Sequence, residues 1–299
     1  MSFPGPDGSV LVSDGGLATE LEARGHDLSD ALWSARLLMD APGEIKAAHL
    51  AFFQAGAVIA TTASYQASFG GFAARGLARG HAARLMRRSV ELAHAARAEV
   101  AGDGRTRWVA ASVGPYGAAL ADGSEYRGRY GLSVTELVAW HRPRLEVLAR
   151  AGPDVLALET VPDLDEAQAL MTAISGLGIP AWLTYSIESE RTRAGQPIAE
   201  AYAVARDVPE VVAVGVNCCA PADVRPAIAI AREVTGKPVI VYPNSGETWD
   251  AQRRTWAGTS RSSAGQAQQW VSEGAGIVGG CCRVRPADIA QIALAVARR

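Results

Sequence analysis

The sequence predicts a (β/α)8 barrel of the α/β class, and three observations carry that prediction. Short apolar, β-branched runs alternate eight times with longer alanine-rich stretches of helical period. Most of the short runs are apolar without interruption, as strands buried on both faces are. The length, 299 residues at 48% hydrophobic content, suffices for eight such units around one core. A doubly wound sheet is the competing arrangement, since it is built from the same units.

Taken in order, the predicted strands are 10–13, 57–61, 108–112, 155–158, 181–185, 211–216, 238–242 and 277–278, each rich in Val, Ile, Leu or Ala. The helices between and after them are 43–55, 76–101, 133–151, 164–176, 197–206, 222–235, 262–273 and 286–298. Gly56, Gly152 and Gly236 supply stop signals, and Pro286 opens the last helix. No low-complexity linker divides the chain, so residues 1–299 read as one domain.

Formal net charge is −2 and the basic residues are dispersed, which argues against nucleic acid as a partner. Residues 1–8 lack the basic and apolar regions of a leader, and no run is long enough to span a bilayer. The expectation is a soluble cytoplasmic protein whose four cysteines are thiols or metal ligands instead of disulfides. The oligomeric state, monomer or dimer, is not written in the sequence.

In such barrels chemistry sits at the C-terminal ends of the strands. There the chain places Asp14-Gly15-Gly16, Thr62-Ala63-Ser64-Tyr65-Gln66, Val113-Gly114-Pro115-Tyr116-Gly117, Glu159-Thr160, Asn217-Cys218-Cys219, Pro243-Asn244-Ser245-Gly246-Glu247 and Gly279-Gly280-Cys281-Cys282-Arg283. All four cysteines fall on two of these loops. The ends of strands six and eight lie near each other on a barrel rim, so thiolates 63 positions apart can face one point. Zinc takes sulfur at about 2.3 Å, and catalytic sites commonly keep three protein ligands with the fourth position open. Cys218, Cys281 and Cys282 supply three. Adjacent cysteines share a metal only in irregular backbone, and Gly279-Gly280 offers that freedom. The competing reading is that some of these thiols are buried small hydrophobes, most plainly Cys219.

These stretches, together with Leu17-Ala18-Thr19-Glu20-Leu21-Glu22 and Asp122-Gly123-Ser124-Glu125-Tyr126, resemble the homocysteine S-methyltransferase family along almost the whole chain. The resemblance implies a (β/α)8 barrel in which Cys218, Cys281 and Cys282 bind Zn2+ and homocysteine sulfur takes the fourth place. It implies that Asp14 and Glu159 hold the amino acid end of homocysteine. The methyl donor would be a sulfonium, S-methylmethionine or S-adenosylmethionine, because a neutral thioether then departs without a general acid. Two departures stand out: Val284 follows the double cysteine and arginine where the family usually has threonine, and Cys219 is an extra thiol.

The candidate substrate-binding residues are Asp14, Gly15, Ser64, Glu159, Asn217, Asn244, Tyr116 and Tyr126. Carboxylates at strand ends accept hydrogen bonds from an ammonium. Asn217, Asn244 and Ser64 orient ligands or receive the substrate carboxylate. Tyr116, Tyr126 and Tyr130 offer aromatic faces to a sulfonium, with Glu125 as added negative charge.

Other chemistries are disfavoured. A Schiff-base enzyme needs a strand-end lysine, but Lys46 lies in a helix and Lys237 precedes a strand. His26, His49, His81, His94 and His141 all lie in the first half, and no HExxH is present. The one GxGxxG match, Gly274 to Gly279, precedes a strand instead of following it and reads as a turn. Two alternatives stay open: a closed structural zinc site with Cys219 as fourth ligand in a ligand-binding protein, and a methyltransferase acting on selenocysteine or selenohomocysteine.

Overall fold

Every strand predicted from the apolar runs is present, and together they close a cylinder. The computed structural model describes residues 3, 9–30, 32–250, 255–258 and 264–297. The strands are β1 (Leu11–Val12), β2 (Ile59–Thr61), β3 (Trp108–Val113), β4 (Val155–Val161), β5 (Ala181–Tyr185), β6 (Val211–Asn217), β7 (Val239–Tyr242) and β8 (Ala275–Val278). All their pairings are parallel, in the order β1-β8-β7-β6-β5-β4-β3-β2. The circle closes through a parallel bridge between Ser13 and Ile59, with Asp14 N–H on the Ile59 carbonyl at 3.1 Å and Val58 N–H on that of Val12 at 2.8 Å. Closure excludes the doubly wound alternative, whose sheet has two free edges.

The two-residue period of a strand sorts the barrel into layers. Leu11, Ile59, Ala110, Val155, Ala157, Trp182, Ala213, Ile240 and Ile277 form the apolar interior, and Phe3 packs edge-on against Trp108 at 5.7 Å beneath it. Two residues further along the same strands, the inward set turns polar: Ser112 after Ala110, Glu159 after Ala157, Thr184 after Trp182, Asn217 after Gly215. Gly215 is a necessity of space, since a Cβ there would strike the Ile240 carbonyl. The opposite parity faces the larger core against the helices.

Those helices are α1 (Pro42–Gln54), α2 (Arg79–Glu99), α3 (Val134–Arg150), α4 (Leu164–Ile174), α5 (Ile198–Ala203), α6 (Val224–Thr235), α7 (Ala264–Glu273) and α8 (Pro286–Val296). Ser133 and Glu136 make a capping box at α3, and the Asp163 side chain accepts from Glu166 N–H at α4. Gly236, at φ +64, ends α6, and Pro286 sits in the first turn of α8. The expected start of the seventh helix at 262–263, the expected end of the eighth at 298, and most of the stretch 1–8 lie outside the described residues.

Boundaries moved where tertiary pairing, not local pattern, decides them. Helix α2 begins at Arg79 instead of 76, because Gly76, at φ +77, closes a separate short helix, Phe69–Ala73. Two hairpins were not anticipated: Ile187–Glu188 with Arg191–Thr192, and Thr248–Asp250 with Thr255–Ala257. The Gly274 turn precedes β8 as expected, with φ +112. Among the described residues no helix is long and apolar enough to cross a membrane. Lys237, at the opposite rim from the cysteines, donates to the carbonyls of Val208 and Val211 at 3.0 and 2.8 Å.

Candidate metal centre and amino-acid site

The loop after β7 is the template on which the cysteines meet. Cys218 N–H donates to the Tyr242 carbonyl at 3.3 Å, and Cys281 N–H donates to that of Pro243 at 2.8 Å. Asn244 Oδ1 accepts from Cys282 N–H at 3.1 Å, while Ser245 N–H donates to the Cys282 carbonyl at 3.1 Å. Both cysteine loops are thus tied to the strand between them. The sulfur of Cys218 lies 2.6 Å from that of Cys281 and 3.8 Å from that of Cys282, and all three fall within 4.8 Å of one another.

Cys218 adopts the left-handed conformation, φ +50, which costs a non-glycine residue about 1 kcal/mol or more and persists only when its surroundings impose it. The turn sends Cys218 and Cys219 to opposite sides. Cys219 is fully buried in the layer between barrel and helices, where burial pushes its thiol above the ordinary range. It is not in the three-sulfur group, so four thiolates do not converge among the described residues. Cys219→Ala is therefore expected to retain metal and activity at the cost of about 1–2 kcal/mol for the buried atom removed. Metal content and a melting curve of the variant check this, and loss of metal would overturn it.

The glycines beside Cys281 act through space, not through the conformational freedom expected for them: neither Gly279 nor Gly280 has positive φ. A Cβ at Gly279 would meet the Asp14 carbonyl at 2.9 Å, and one at Gly280 would strike Val284. Irregularity enters instead at Arg283, φ +66, whose N–H donates to Thr19 Oγ1 at 3.0 Å. Val284, where the resemblance leads one to expect threonine, is buried, and its carbonyl accepts from Gly16 N–H at 2.9 Å. Gly15 lies so close under that carbonyl that a Cβ would strike it.

The donor set suits a thiophilic ion. In a tetrahedral site with bonds of about 2.3 Å, ligand sulfurs stand about 3.8 Å apart; the Cys218–Cys282 separation has this value, and the Cys218–Cys281 pair, at 2.6 Å, would have to open to share the ion. Three soft ligands, with no fourth in the group among the described residues, are the pattern of an open metal site. Hydrogen bonds from Cys218 and Cys281 hold the Cys282 thiol well below its ordinary range, while its hydrogen bonds to the other two push Cys281 well above.

Within the barrel, directly along strand parity, lies a pair of buried carboxylates. Asp14 accepts from Thr61 N–H at 2.6 Å, Thr61 Oγ1 at 2.9 Å and Ser13 Oγ at 3.2 Å. Glu159 accepts from Ser112 Oγ and, at 3.1 Å, from the Tyr242 hydroxyl. Burial pushes both carboxyls up to about 7, against the lowering by these hydrogen bonds. Each also feels negative charge nearby, Asp14 from Glu159 and Glu159 from Cys218. Among the described residues no cationic side chain pairs with either carboxyl.

The remaining candidates serve varied ends. Asn217 accepts from Thr160 N–H at 2.7 Å and Thr184 Oγ1 at 2.8 Å and donates to Thr160 Oγ1 at 2.7 Å, fixing Thr160 in its left-handed turn. Ser64 Oγ, 2.7 Å from Thr62 Oγ1, donates to the Ser112 carbonyl at 2.7 Å and ties the second loop to β3. Tyr116 packs with Tyr130 at 5.2 Å and Trp140 at 5.1 Å. That cluster rests on buried Glu166, which accepts from Tyr116 N–H at 2.5 Å and pairs with His141 at 2.9 Å; Arg144 beside it donates to the Gly114 carbonyl. The Tyr126 hydroxyl donates to Cys218 Sγ at 3.9 Å, and the charge of that cysteine keeps the phenol protonated. One face of its ring is taken by Arg193, at 5.7 Å.

Sequence reasoning passed over Thr61, Ser112, Thr184 and Tyr242, the hydroxyls that hold the carboxylates and Asn217. Strand parity was the signal that marks them, since each stands at an inward position two residues beyond an apolar one. It also passed over the whole loop after β5, which carries Ser186 and Arg193.

Comparison with known proteins agrees with this geometry. The homocysteine S-methyltransferase family model matches residues 11–296. Homocysteine S-methyltransferase 4 of Zea mays is 46% identical, the match covering 97% of this chain and 90% of that one. Homocysteine S-methyltransferase of Escherichia coli is 45% identical over 95% of this chain and 94% of its own. The crystal structure of the homocysteine methyltransferase MmuM from Escherichia coli, metallated form, superposes with a TM-score of 0.87 at 43% identity, covering 98% of this chain and 97% of that one. With a closed eightfold barrel, three converging thiols and a match along nearly its whole length, the chain belongs to the homocysteine S-methyltransferase family.

Proposed function

We propose that the chain, acting as one domain over residues 1–299, transfers a methyl group from a sulfonium donor to the sulfur of L-homocysteine, with zinc on Cys218, Cys281 and Cys282. The observation that carries this reading is the meeting of three sulfurs near a buried pair of carboxyls that no cationic side chain pairs among the described residues. The metallated form of the Escherichia coli relative supports a bound metal. Bound zinc would supply the Lewis acidity that keeps an acceptor thiol deprotonated at neutral pH, where a free thiol, titrating near 8.5, is mostly protonated.

The residues do the rest. Asp14 and Glu159 accept hydrogen bonds from the acceptor ammonium, and Thr61, Ser112 and Tyr242 hold those carboxylates in place. Asn244 orients Cys282 through its backbone N–H, and Tyr126 donates to Cys218. In the transfer a new carbon–sulfur bond forms to the acceptor as the donor's methyl–sulfur bond breaks. That electron pair stays on the donor sulfur, which leaves as a neutral thioether, and the acceptor's thiol proton goes to solvent. With S-methylmethionine both products are methionine. The reducing cytoplasm, where thiols persist as ligands, is the compartment this reading requires.

The test is a methyl-transfer assay of purified, zinc-loaded protein on homocysteine, with S-methylmethionine and S-adenosylmethionine in parallel. Methionine formation that depends on homocysteine is the expected result. No methionine from either donor would refute the reading.

A further inference from the structure

Transfer between two amino acids requires that two zwitterions be held, and Asp14 with Glu159 accounts for the ammonium of one. Those acids lie in the polar layer inside the barrel, below the rim that carries the sulfurs. With the acceptor on that floor, in-line transfer brings the donor in from the other side, under the loops that follow β3 and β5.

The loop after β5 folds as the hairpin Ile187–Glu188 with Arg191–Thr192 and so returns Arg193 over Cys218. Arg193 Nε donates to Ser186 Oγ at 3.3 Å, and the fully buried Ser186 donates to the Cys218 carbonyl at 3.3 Å. The guanidinium rests on the ring of Tyr126, whose hydroxyl reaches the sulfur of Cys218. Among the described residues its one acidic partner is Glu188, 3.9 Å away and 82% exposed, a pair too open to water to hold it firmly. Beyond these contacts its terminal nitrogens make no hydrogen bond among the described residues.

Glu125 precedes Tyr126 in the chain and lies near enough to Cys218 to feel its charge. Its Oε2 is shielded from solvent and has no hydrogen-bond partner among the described residues. Burial, with the charge of Cys218 beside it, pushes this carboxyl up to about 7. A buried acceptor left empty is costly unless a ligand fills it. A cation with spare N–H groups and a carboxyl with a spare oxygen therefore both lie near Cys218, the cation through Ser186 and the ring of Tyr126.

We infer that Arg193 and Glu125 hold the carboxylate and the ammonium of the methyl donor, so that the site selects sulfonium amino acids with a free α-carboxylate. This rests on the methyl-transfer function proposed above. A guanidinium fork matches a carboxylate bidentately, which fixes the donor's orientation as well as its affinity.

The test uses the zinc-loaded enzyme and whichever donor supports turnover, S-methylmethionine or S-adenosylmethionine, beside its decarboxylated counterpart. In Arg193→Met the donor KM is expected to rise tenfold or more, about the value of a charged hydrogen bond, with the homocysteine KM unchanged. The decarboxylated donor should show the same kcat/KM in wild type and variant, and Arg193→Lys should recover part of the loss. Glu125→Gln should weaken both donors alike and leave homocysteine untouched. An unchanged donor KM in Arg193→Met, a rise in the homocysteine KM instead, or an equal loss with both donors would overturn the assignment. If the wild-type enzyme uses neither donor, the function itself fails and this inference with it.

Discussion

Cys218→Ala, Cys281→Ala and Cys282→Ala are each expected to lose bound metal and, with it, methyl transfer by at least a hundredfold, while remaining folded. The magnitude follows from comparison with outer partners of a metal site, whose removal alone costs about 10- to 100-fold; removing a ligand leaves two sulfurs where three are needed. The fold survives because the three thiols stand on rim loops; Cys218 and Cys282 belong to neither apolar cluster, and Cys281 only packs against the edge of the barrel interior. Metal content after dialysis against a weak chelator, read beside a melting curve and the transfer rate, distinguishes the cases. A fully active Cys281→Ala enzyme would sink the site. Loss of activity with metal retained would move the thiols from metal binding to another role.

The second expectation concerns the carboxylate pair. Glu159→Gln and Asp14→Asn should raise the homocysteine KM about 10- to 100-fold, the value of a hydrogen bond between charged groups, with metal content unchanged. The Glu159 change is the cleaner one, because the Ser112 and Tyr242 hydroxyls that face it can donate to or accept from an amide. The pH dependence has a definite sign. Burial raises both acids to about 7, so as pH falls through that value the free enzyme takes up protons there and its attraction for an ammonium fades.

The homocysteine KM of the wild type should therefore rise below about pH 7, and rise less steeply in Glu159→Gln. Stability runs the other way. A carboxyl raised in the folded state contributes stability that is present below its unfolded value and lost as pH rises through its folded one, so the amide variant melts no lower than wild type near pH 8. Normal homocysteine affinity in both variants would refute the assignment.

How much of this was legible in the sequence differs between elements. The eight strands were, because a strand buried on both faces must be apolar along its length, and no other short element shares that signature at this spacing. Their exact ends were not: β4 runs on to Val161 and β8 begins at Ala275 because neighbouring strands supply the partners. The hairpin that carries Arg193 was invisible, since Arg191–Thr192 has neither alternation nor a two-residue glycine turn to announce it.

What the sequence by itself determined was composition at the rim: four thiols, three acids and a run of glycines placed just past apolar strands. Which of the four thiols face one point was decided by the tertiary structure. The left-handed turn at Cys218 divides it from Cys219, and the loop after β7 binds Cys218, Cys281 and Cys282 through backbone hydrogen bonds that no local pattern encodes. The physical reason is strand order. β6 and β8 both pair with β7, and the loop that follows β7 therefore brings residues 63 positions apart to a separation that one metal ion can span.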